Sequence, residues 1–296
     1  MKILVTGSNG LLGQKLTELL ENDPSVTLIA TARGKSVLPI TKGEFHNLDI
    51  TDGQAVDDVF ARTRPDVVIN TAAMTQVDQC ETEREACWTA NVTSVENLVA
   101  ACIKYSTHLV HVSTDFIFDG TRGPLDENEK PNPVNYYGES KLAAEEVVKK
   151  SKAGWSILRT VLVFGITRDM SRSNIVLWVK NSLEQGKNIQ VVNDQWRTPT
   201  LAEDLAQGCY LAAKKKATGI YNISGKDFLT PYDIAIATAD YFKLDKSLVN
   251  VTDSTKFTQP AKRPPKTGFI IDKARTDLGY EPRSFAEGLA VLESQL

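Results

Sequence analysis

A glycine-spaced segment near the beginning of the sequence constrains the fold of this chain more than any other feature. The segment Thr6-Gly7-Ser8-Asn9-Gly10-Leu11-Leu12-Gly13 follows a short apolar run and opens an amphipathic run. Glycines between a strand and a helix permit a tight turn and bring backbone N–H groups close to a pyrophosphate, although a glycine triplet alone is also typical of an ordinary turn. The context favours a dinucleotide site that includes Gly7, Asn9, Gly10, Leu11, Leu12 and Gly13.

Short apolar runs alternate with amphipathic segments through the first half of the sequence. Strand candidates lie at 2–6, 26–30, 44–48, 66–70, 108–113 and 156–163, and helical patterns lie at 11–21, 54–62 and 89–105. This alternation is typical of a parallel sheet with helices on both faces. The sequence therefore predicts an α/β fold with a doubly wound parallel sheet of the Rossmann type.

The alternation becomes less regular after about residue 165. Capping boxes are predicted at Thr51 with Gln54 and at Thr200 with Glu203, a strand at 219–224, and a further helix from Thr230. Because sheet-like segments recur, we predict a dinucleotide-binding domain at 1–165 with returning segments near 200–224. Residues 166–296 would form mainly a smaller, interleaved C-terminal substrate lobe.

Composition and charge exclude several classes of partner. The 296 residues include 34 Lys plus Arg and 37 Asp plus Glu, so a net charge of −3 gives no overall positive field for nucleic acid or anionic lipid. The sequence has no apolar run of about 18 residues and no signal sequence, which predicts a cytoplasmic protein without a membrane partner.

Cysteine and histidine spacing argues against a metal site. The four cysteines lack paired C-x-x-C spacing, so reduced thiols are predicted rather than zinc ligands or disulfides. His108 and His111, three positions apart on one strand, point to opposite faces and are interpreted as packing residues.

The end of the second predicted strand bears on the choice of cofactor. A strand that binds NAD usually ends in an acidic residue that contacts the ribose hydroxyls. Here Thr31-Ala32-Arg33-Gly34-Lys35 has no carboxylate, and Arg33 is suited to a 2′-phosphate. NADP(H) is therefore the preferred cofactor and NAD(H) the alternative, and Arg33 as an ordinary loop cation stays open.

Three residues are predicted to carry out catalysis. Tyr137 and Lys141 are four positions apart, which puts both side chains on one face of a helix, and the cation is expected to lower the pKa of the phenol. Thr114 follows a strand at the sheet edge where ligands bind, although alone it is typical of a strand-end turn. A hydroxyl there can hydrogen-bond a carbonyl oxygen that the phenol protonates.

The motifs together resemble those of the extended short-chain dehydrogenases/reductases, and within that superfamily the dTDP-4-dehydrorhamnose reductase family. The segments that carry the resemblance span nearly the whole chain in the family's order: 6–13, Val68-Ile-Asn-Thr-Ala-Ala73 with Val77-Asp78, 110–120, 137–141, 158–160, Asp194-Gln195, Pro199-Thr200 and Arg263-Pro264.

The resemblance implies a role for each matched position. Tyr137 would donate a proton, and Lys141 would adjust the pKa of Tyr137 and contact the ribose. Thr114 would hydrogen-bond the carbonyl, and Asp115 would contact the substrate. The dinucleotide would also touch Asp49, Ile50, Thr71, Ala72 and Ala73. The implied activity is the NADPH-dependent reduction of a 4-keto nucleotide sugar, dTDP-4-dehydro-L-rhamnose to dTDP-L-rhamnose, for polysaccharide biosynthesis.

Two departures from the family pattern concern the substrate. Leu162 stands where the family commonly has a tryptophan, and Arg197 where the family often has a glycine. Arg197 and Arg263 are candidates to bind phosphate, each with an ion pair as the alternative. The predicted substrate contacts are Thr114, Asp115, Asn174, Arg197 and Arg263.

Other functions within the superfamily stay open to different degrees. A dehydratase is disfavoured because Phe116, rather than a glutamate, follows Ser-Thr-Asp. A 4-epimerase is harder to exclude, and some relatives resemble the non-catalytic, NADP-binding regulatory subunit of methionine adenosyltransferase. Extended relatives often form dimers, so a homodimer is kept as an expectation.

Overall fold

The computed structural model describes residues 1–169 and 173–296. Its strands are β1 (Lys2–Thr6), β2 (Thr27–Ala32), β3 (Glu44–Asn47), β4 (Val67–Asn70), β5 (His108–Thr114), β6 (Trp155–Thr160), β7 (Val163–Phe164), β8 (Ile189–Val192), β9 (Thr200–Leu201), β10 (Gly219–Asn222) and β11 (Val249–Thr252). A seven-stranded sheet with the order β10-β6-β5-β4-β1-β2-β3 forms the centre, and all its neighbouring strands are parallel. The predicted doubly wound sheet is confirmed.

The helices lie between these strands in the chain. They are α1 (Leu11–Glu21), α2 (Gly53–Thr63), α3 (Val77–Thr82), α4 (Arg84–Trp88), α5 (Ser94–Tyr105), α6 (Tyr136–Lys150), α7 (Ile175–Glu184), α8 (Ala202–Lys215), α9 (Pro231–Tyr241), α10 (Asp272–Leu278) and α11 (Phe285–Glu293), with a π-helical turn at Thr89–Thr93. None of the helices in the described part of the chain combines the length and the apolar character needed to span a membrane.

The core has two layers, one on each face of the central sheet. Alternate residues of β1 point to opposite faces, so Ile3 packs on one side and Leu4 on the other. Helices α1 and α8 cover the first face, with Leu16 in its core, and helices α2, α5 and α6 cover the second, with Phe60 in its core. Apolar runs buried on both faces explain why the strands lack a polar alternation.

The strand order reverses between β1 and β4, and this reversal places the site. In such sheets the connections on either side of the reversal run to opposite faces, which leaves a crevice at the carboxyl ends of the strands. The register puts Thr6 beside Asn70 and Asn70 beside His111. The segments that follow β1, β4 and β5 therefore begin side by side at the carboxyl edge of the sheet.

The C-terminal part contributes small sheets and one strand of the central sheet. β8 pairs with β11 and β7 with β9, each in parallel, and helices α7, α9 and α11 pack against them. β10 returns to the central sheet beside β6. The boundary near residue 165 between two lobes stays a prediction.

The start of α2 differs from the sequence prediction by one residue. Asp52 caps the helix, and its carboxylate accepts hydrogen bonds from the backbone N–H groups of Gln54 (3.0 Å) and Ala55 (3.1 Å). The predicted capping box of Thr51 and Gln54 is wrong because the Thr51 hydroxyl instead donates to Asp49 (2.8 Å). An ionised carboxylate is a stronger acceptor for helix N–H groups than a hydroxyl.

Of two helix starts predicted later in the chain, one is wrong and one is confirmed. The predicted box at Thr200 and Glu203 is wrong, because Thr200 belongs to β9 and its hydroxyl donates to the carbonyl of Val161 (2.6 Å). Helix α9 follows Thr230 as predicted, and Thr230 forms a capping box with Asp233. A capping pattern in the sequence is ambiguous when the threonine can also belong to a strand.

Candidate active site

A cavity of about 600 Å³ opens at the carboxyl ends of β1, β4 and β5. Residues predicted from separate parts of the sequence line it together: Asn9, Gly10, Leu11, Leu12, Gly13, Thr71, Ala73, Thr114, Asp115, Tyr137, Lys141 and Asn174. The cavity joins the glycine segment to all three predicted catalytic residues. It is the candidate active site.

The glycine segment forms a cradle that larger residues would fill. Gly7 has a φ of +66°, in the left-handed region that favours glycine, and a Cβ on Gly13 would lie 2.2 Å from the carbonyl oxygen of Gly7. Gly10 caps α1 without a side-chain hydrogen bond, and the first turn holds no acidic residue. N–H groups at such a helix start bind anions well, so these residues fit the pyrophosphate of a dinucleotide.

The segment after β2 is tied to this cradle. The amide of Asn9 donates to the carbonyl of Lys35 (2.9 Å) and accepts from the N–H of Val37 (3.0 Å). Arg33 is exposed, and its charge helps to lower the pKa of Asp49, although the main cause is a hydrogen bond from the backbone of Thr51.

Several predicted dinucleotide contacts do not line the cavity itself. They are Gly7, Arg33, Asp49, Ile50 and Ala72, of which Gly7 and Ala72 pack against each other. The contact of these five residues with a dinucleotide therefore stays a prediction.

Tyr137 lies in the cavity wall as a protonated phenol. Its side chain is buried, and its ring packs edge-on against Phe116, with 5.7 Å between the centroids. Burial raises the pKa of Tyr137 above its ordinary value, and the Thr114 hydroxyl acts in the opposite direction as a hydrogen-bond partner. The predicted lowering of this pKa by Lys141 is wrong, because burial dominates. A phenol that stays protonated at neutral pH is in the state of a proton donor.

Lys141 is a buried cation with no carboxylate in contact. Its Nζ donates to the carbonyl of Val112 (2.8 Å) and lies 3.5 Å from Nε2 of His111. Among the described residues, no carboxylate oxygen lies within ion-pair distance of Nζ. Burial lowers the pKa of Lys141 to about 8, against the negative charge of Glu145, which raises it. This amine therefore titrates close to neutral pH.

Asp115 joins the strand edge to the C-terminal part of the chain. It is buried, and its carboxylate accepts hydrogen bonds from the hydroxyls of Thr114 (3.1 Å) and Thr267. Burial raises the pKa of Asp115, and the charge of Arg197, whose Nε lies 3.8 Å away, lowers it. Asp115 lines the cavity with an acceptor that is already held in place.

Arg197 is not placed to bind a phosphate. Its guanidinium is buried and donates to the carbonyls of Trp196 (2.8 Å), Pro265 (3.1 Å) and Pro264 (2.7 Å). It lines neither this cavity nor the neighbouring one described below. The prediction of Arg197 as a phosphate clamp is corrected, since three carbonyls accept hydrogen bonds from its guanidinium and Asp115 lies at ion-pair distance.

A second cavity of about 500 Å³ adjoins the first. Asn174 lines both cavities, and its side chain caps α7 by accepting from the N–H of Leu177 (3.1 Å). Arg263 lines the second cavity and pairs with both carboxylate oxygens of Asp78 (2.5 and 2.8 Å). Asn174 thus lies where a long ligand would pass from one cavity to the other.

Polar side chains lie buried beneath the sheet edge, at positions that the sequence did not mark as functional. His111, interpreted as a packing residue, is fully buried and contacts Asn70 Nδ2 through its Nδ1 (3.1 Å) and Lys141 through its Nε2. The available signal was a polar residue at the end of β4, Asn70, and a histidine in the middle of the neighbouring strand β5. The register that joins Asn70 to His111 was needed to interpret it.

The four cysteines are buried free thiols. Cys80 and Cys87 share one small buried cluster with Tyr137, which their sequence spacing did not indicate. The Sγ atom of Cys87 donates to the hydroxyl of Ser140 (3.5 Å). These thiols pack behind the tyrosine rather than in the cavity lining.

Comparison with known proteins agrees with this geometry. Residues 1–295 match the family described as RmlD substrate binding domain. A dTDP-4-dehydrorhamnose reductase of Aggregatibacter actinomycetemcomitans is 31% identical over 97% of this chain and 97% of that protein. The methionine adenosyltransferase 2 subunit beta of Xenopus laevis is 32% identical over 85% of this chain and 75% of that protein.

A solved structure extends the comparison to three dimensions. The dTDP-4-dehydrorhamnose reductase of Bacillus anthracis, in complex with NADP, superposes with a TM-score of 0.86 at 27% identity and covers 100% of this chain and 99% of that one.

Proposed function

The chain belongs to the RmlD substrate binding domain family, and from that premise we propose that it reduces a 4-keto sugar carried on a nucleoside diphosphate, with NADPH as the reductant. The chain is an NAD(P)-dependent oxidoreductase. The substrate we favour is dTDP-4-dehydro-L-rhamnose, which would give dTDP-L-rhamnose for polysaccharide synthesis in the cytoplasm.

One observation carries the proposal. The glycine cradle, Thr114, Tyr137 and Lys141 line a single cavity, although they lie up to about 130 residues apart in the sequence. A ketone bound in this cavity would have a phenol and a hydroxyl as neighbours. That set of groups is suited to polarising and protonating a carbonyl oxygen.

The residues of this chain divide the work of the reaction. The bound reduced nicotinamide would supply the hydride to the carbonyl carbon. Tyr137 would donate its proton to the oxygen as negative charge develops there, and Thr114 would hydrogen-bond the same oxygen. Lys141 would stabilise the resulting phenolate, and Asp115 would orient a sugar hydroxyl through its carboxylate.

The cofactor is proposed to be NADPH, with NADH as a weaker alternative. Arg33 is exposed at the end of β2, beside the segment that Asn9 holds against the glycine cradle. A cation there is suited to the 2′-phosphate of NADP. The Bacillus anthracis reductase, which is similar over the whole chain, binds NADP.

A dehydratase is a weaker proposal than a reductase. Eliminating water requires a further acid or base next to the substrate. At the position after Ser-Thr-Asp, where a dehydratase has a glutamate, this chain has Phe116, which lines the cavity and packs on Tyr137. An apolar ring cannot move a proton, so this wall supports reduction.

A second candidate function rests on the similarity to methionine adenosyltransferase 2 subunit beta. A regulatory subunit would bind NADP and act on a partner without sugar chemistry. The cavity retains Tyr137, Lys141 and Thr114, which such a role would not require.

The test is to follow the absorbance of NADPH with purified protein and a panel of 4-keto nucleotide sugars. Oxidation that depends on one of these sugars would support the reductase and name its substrate class. Tight NADPH binding without oxidation by any sugar would contradict it and favour the regulatory role.

A further inference from the structure

A chain of buried polar side chains crosses the central sheet beneath the active site. The hydroxyl of Thr6 on β1 donates to Oδ1 of Asn70 on β4 (2.6 Å), and Nδ2 of Asn70 lies 3.1 Å from Nδ1 of His111 on β5. Nε2 of His111 lies 3.5 Å from Nζ of Lys141 on α6. All four side chains are at most 3% exposed. Polar groups buried this deeply must satisfy one another.

The first link fixes the orientation of the Asn70 amide. The oxygen of the Thr6 hydroxyl accepts a hydrogen bond from the backbone N–H of Ala72 (3.4 Å), so its hydrogen is free to point towards Asn70. Within the described part of the chain, Oδ1 of Asn70 is the acceptor for that hydrogen. Asn70 therefore presents its carbonyl oxygen to Thr6 and its NH₂ group to His111.

The second link fixes the tautomer of His111. Complete burial, together with the charge of Lys141, keeps the pKa of His111 well below its ordinary value, so the ring is neutral. A neutral imidazole has one N–H and one lone pair. Because Asn70 donates to Nδ1, the hydrogen is on Nε2, and it faces the amine of Lys141.

The third link depends on the charge of that amine. An ammonium group has three hydrogens and no lone pair, so it cannot accept the Nε2–H of His111. A neutral amine can accept it while still donating to the carbonyl of Val112. The sheet therefore offers Lys141 a hydrogen-bond partner that fits its deprotonated form.

We propose that His111 is a positioning residue that favours proton loss from Lys141, through an Nε2–H tautomer that Thr6 and Asn70 impose. This role rests on the proposed reductase function. When Tyr137 gives its proton to the substrate, the ammonium of Lys141 first stabilises the phenolate by its charge. A proton then passes from the ammonium to the phenolate, which regenerates the phenol and leaves Lys141 as a neutral amine. His111 then donates to the new lone pair, and solvent later restores the proton.

The other charged groups around Lys141 leave this role intact. The charges of Glu145 on its own helix and of Cys87 on α4 act on Lys141, and Tyr137 lines the same cavity from that helix. The Glu145 carboxylate is hydrogen-bonded by Arg159 (3.0 and 2.8 Å) and lies 3.4 Å from Lys149, so most of its charge is compensated. On the β5 side, the facing groups are His111 and the backbone carbonyl of Val112.

The first test uses the unmodified, ligand-free protein. Two-bond ¹H–¹⁵N correlations of the histidine rings report which nitrogen carries hydrogen. We expect His111 to be neutral with hydrogen on Nε2. A neutral ring with hydrogen on Nδ1, or a protonated ring at pH 7, would overturn the proposal without any variant having to fold.

The second test measures the titration of Lys141 by ¹³C NMR of ε-labelled lysine. In His111→Gln the amide can turn its oxygen to the ammonium, so the pKa of Lys141 should rise by at least about one unit. His108→Gln is the matched control, since His108 lies on the same strand beside Gly154, and it should leave the titration unchanged. An unchanged Lys141 titration in His111→Gln would overturn the proposal.

A third readout connects the proposal to the reaction. If the chain is a reductase, the alkaline limb of the pH profile of kcat should move upward in His111→Gln by the same amount, with KM for the sugar unchanged. Both NMR tests are made without sugar or cofactor. Failure of the reductase proposal would therefore leave their outcome readable, and a wrong tautomer would leave the reductase proposal standing.

Discussion

Two buried cations, Lys141 on α6 and Arg159 packed against that helix, differ in their hydrogen-bond partners. Arg159 reaches the helix from β6 and donates to both carboxylate oxygens of Glu145 (3.0 and 2.8 Å). Lys141, one turn earlier than Glu145 on the helix, contacts a backbone carbonyl and a neutral imidazole. A carboxylate partner offsets the cost of burying a charge, whereas a buried charge without such a partner costs stability. The unpaired cation is the one that lines the cavity.

The pKa values follow the same division. Burial alone would raise the pKa of Glu145, but hydrogen bonds and charge from Arg159 hold it below its ordinary value. Burial lowers the pKa of Lys141 to about 8. One group keeps its charge throughout the physiological range, and the other changes its charge near neutral pH.

Removing the carboxylate partner of Arg159 should have the largest effect on the free energy of unfolding. Glu145→Gln leaves Arg159 buried without a counter-charge, and we expect a loss of about 3–5 kcal/mol in the free energy of unfolding, measured with urea at pH 7. Because the pKa of Glu145 is lowered on folding, its contribution is present above the unfolded glutamate pKa and is lost as the pH falls through the folded value. The difference from the parent protein should therefore shrink below about pH 4.

The matched control for this variant is Glu146→Gln on the same helix. Glu146 is half-exposed and lies 3.1 Å from Lys149. Exposed pairs contribute about 0–1 kcal/mol, so this change should be small. Equal losses in the two variants would contradict the assignment of a structural role to the buried pair.

Removing the phenol next to the unpaired cation should act on turnover and not on stability. Tyr137→Phe should lower turnover at least about tenfold, because it removes the proton donor, with little change in NADPH affinity. Tyr136→Phe is the control, since that ring packs between Arg84 and Trp88 and does not line the cavity. Steady-state kinetics and NADPH titrations of both variants give the answer. Unchanged turnover in Tyr137→Phe would remove it from the reaction.

Replacing Lys141 should change the free energy of unfolding in the opposite direction to Glu145→Gln. Lys141→Met removes a buried charge, and we expect a gain of about 1–2 kcal/mol in the free energy of unfolding at pH 7 after the loss of the hydrogen bond to Val112. Because the folded pKa is below the unfolded one, the cost of the lysine is full below pH 8 and is relieved as the pH rises towards the unfolded value. The gain should therefore fade above about pH 8.

Urea unfolding at pH 7 and at pH 10 checks this sign. A Lys141→Met protein that is less stable than the parent at pH 7 would show that the lysine is held by compensating interactions. The contrast with Arg159 would then be wrong.

An exposed cation should give the smallest effect of the series. Arg33 is neither buried nor part of an ion pair with a described residue within 4 Å, so Arg33→Asp should change the free energy of unfolding by no more than about 0.5 kcal/mol. It should nevertheless move the preference from NADPH towards NADH, measured as the ratio of kcat/KM values. Lys35→Asp, also exposed, is the control, and an equal movement in both variants would mean that Arg33 has no specific role.

The fold could be predicted because each level of the sequence agreed with the next. The apolar run at Lys2–Thr6, the glycines and the amphipathic Leu11–Glu21 each point to the same strand, turn and helix, and β1 and α1 have those bounds. Tyr137 and Lys141 were predictable because helical periodicity alone puts them on one face. Thr114 needed only the rule that ligands bind at the carboxyl edge of parallel strands.

Contacts between distant segments could not be predicted. The sequence does not say that the carbonyls of Pro264 and Pro265 would accept hydrogen bonds from Arg197, because those two residues are nearly 70 positions away. It also gave the wrong direction for the pKa of Tyr137, since burial was not known. Asn70 and His111 lie on neighbouring strands of the sheet, and only the strand register joins them.

We propose that one cavity holds a ketone between Tyr137, Thr114 and a reduced nicotinamide. The most direct test supplies NADPH that carries deuterium at both C4 positions, together with a 4-keto nucleotide sugar, and follows the sugar by mass spectrometry. We expect one deuterium at C4 of the sugar for each NADPH oxidised, at a rate that falls in Tyr137→Phe. Oxidation that leaves the sugar unlabelled, or no oxidation with any 4-keto nucleotide sugar, would contradict it.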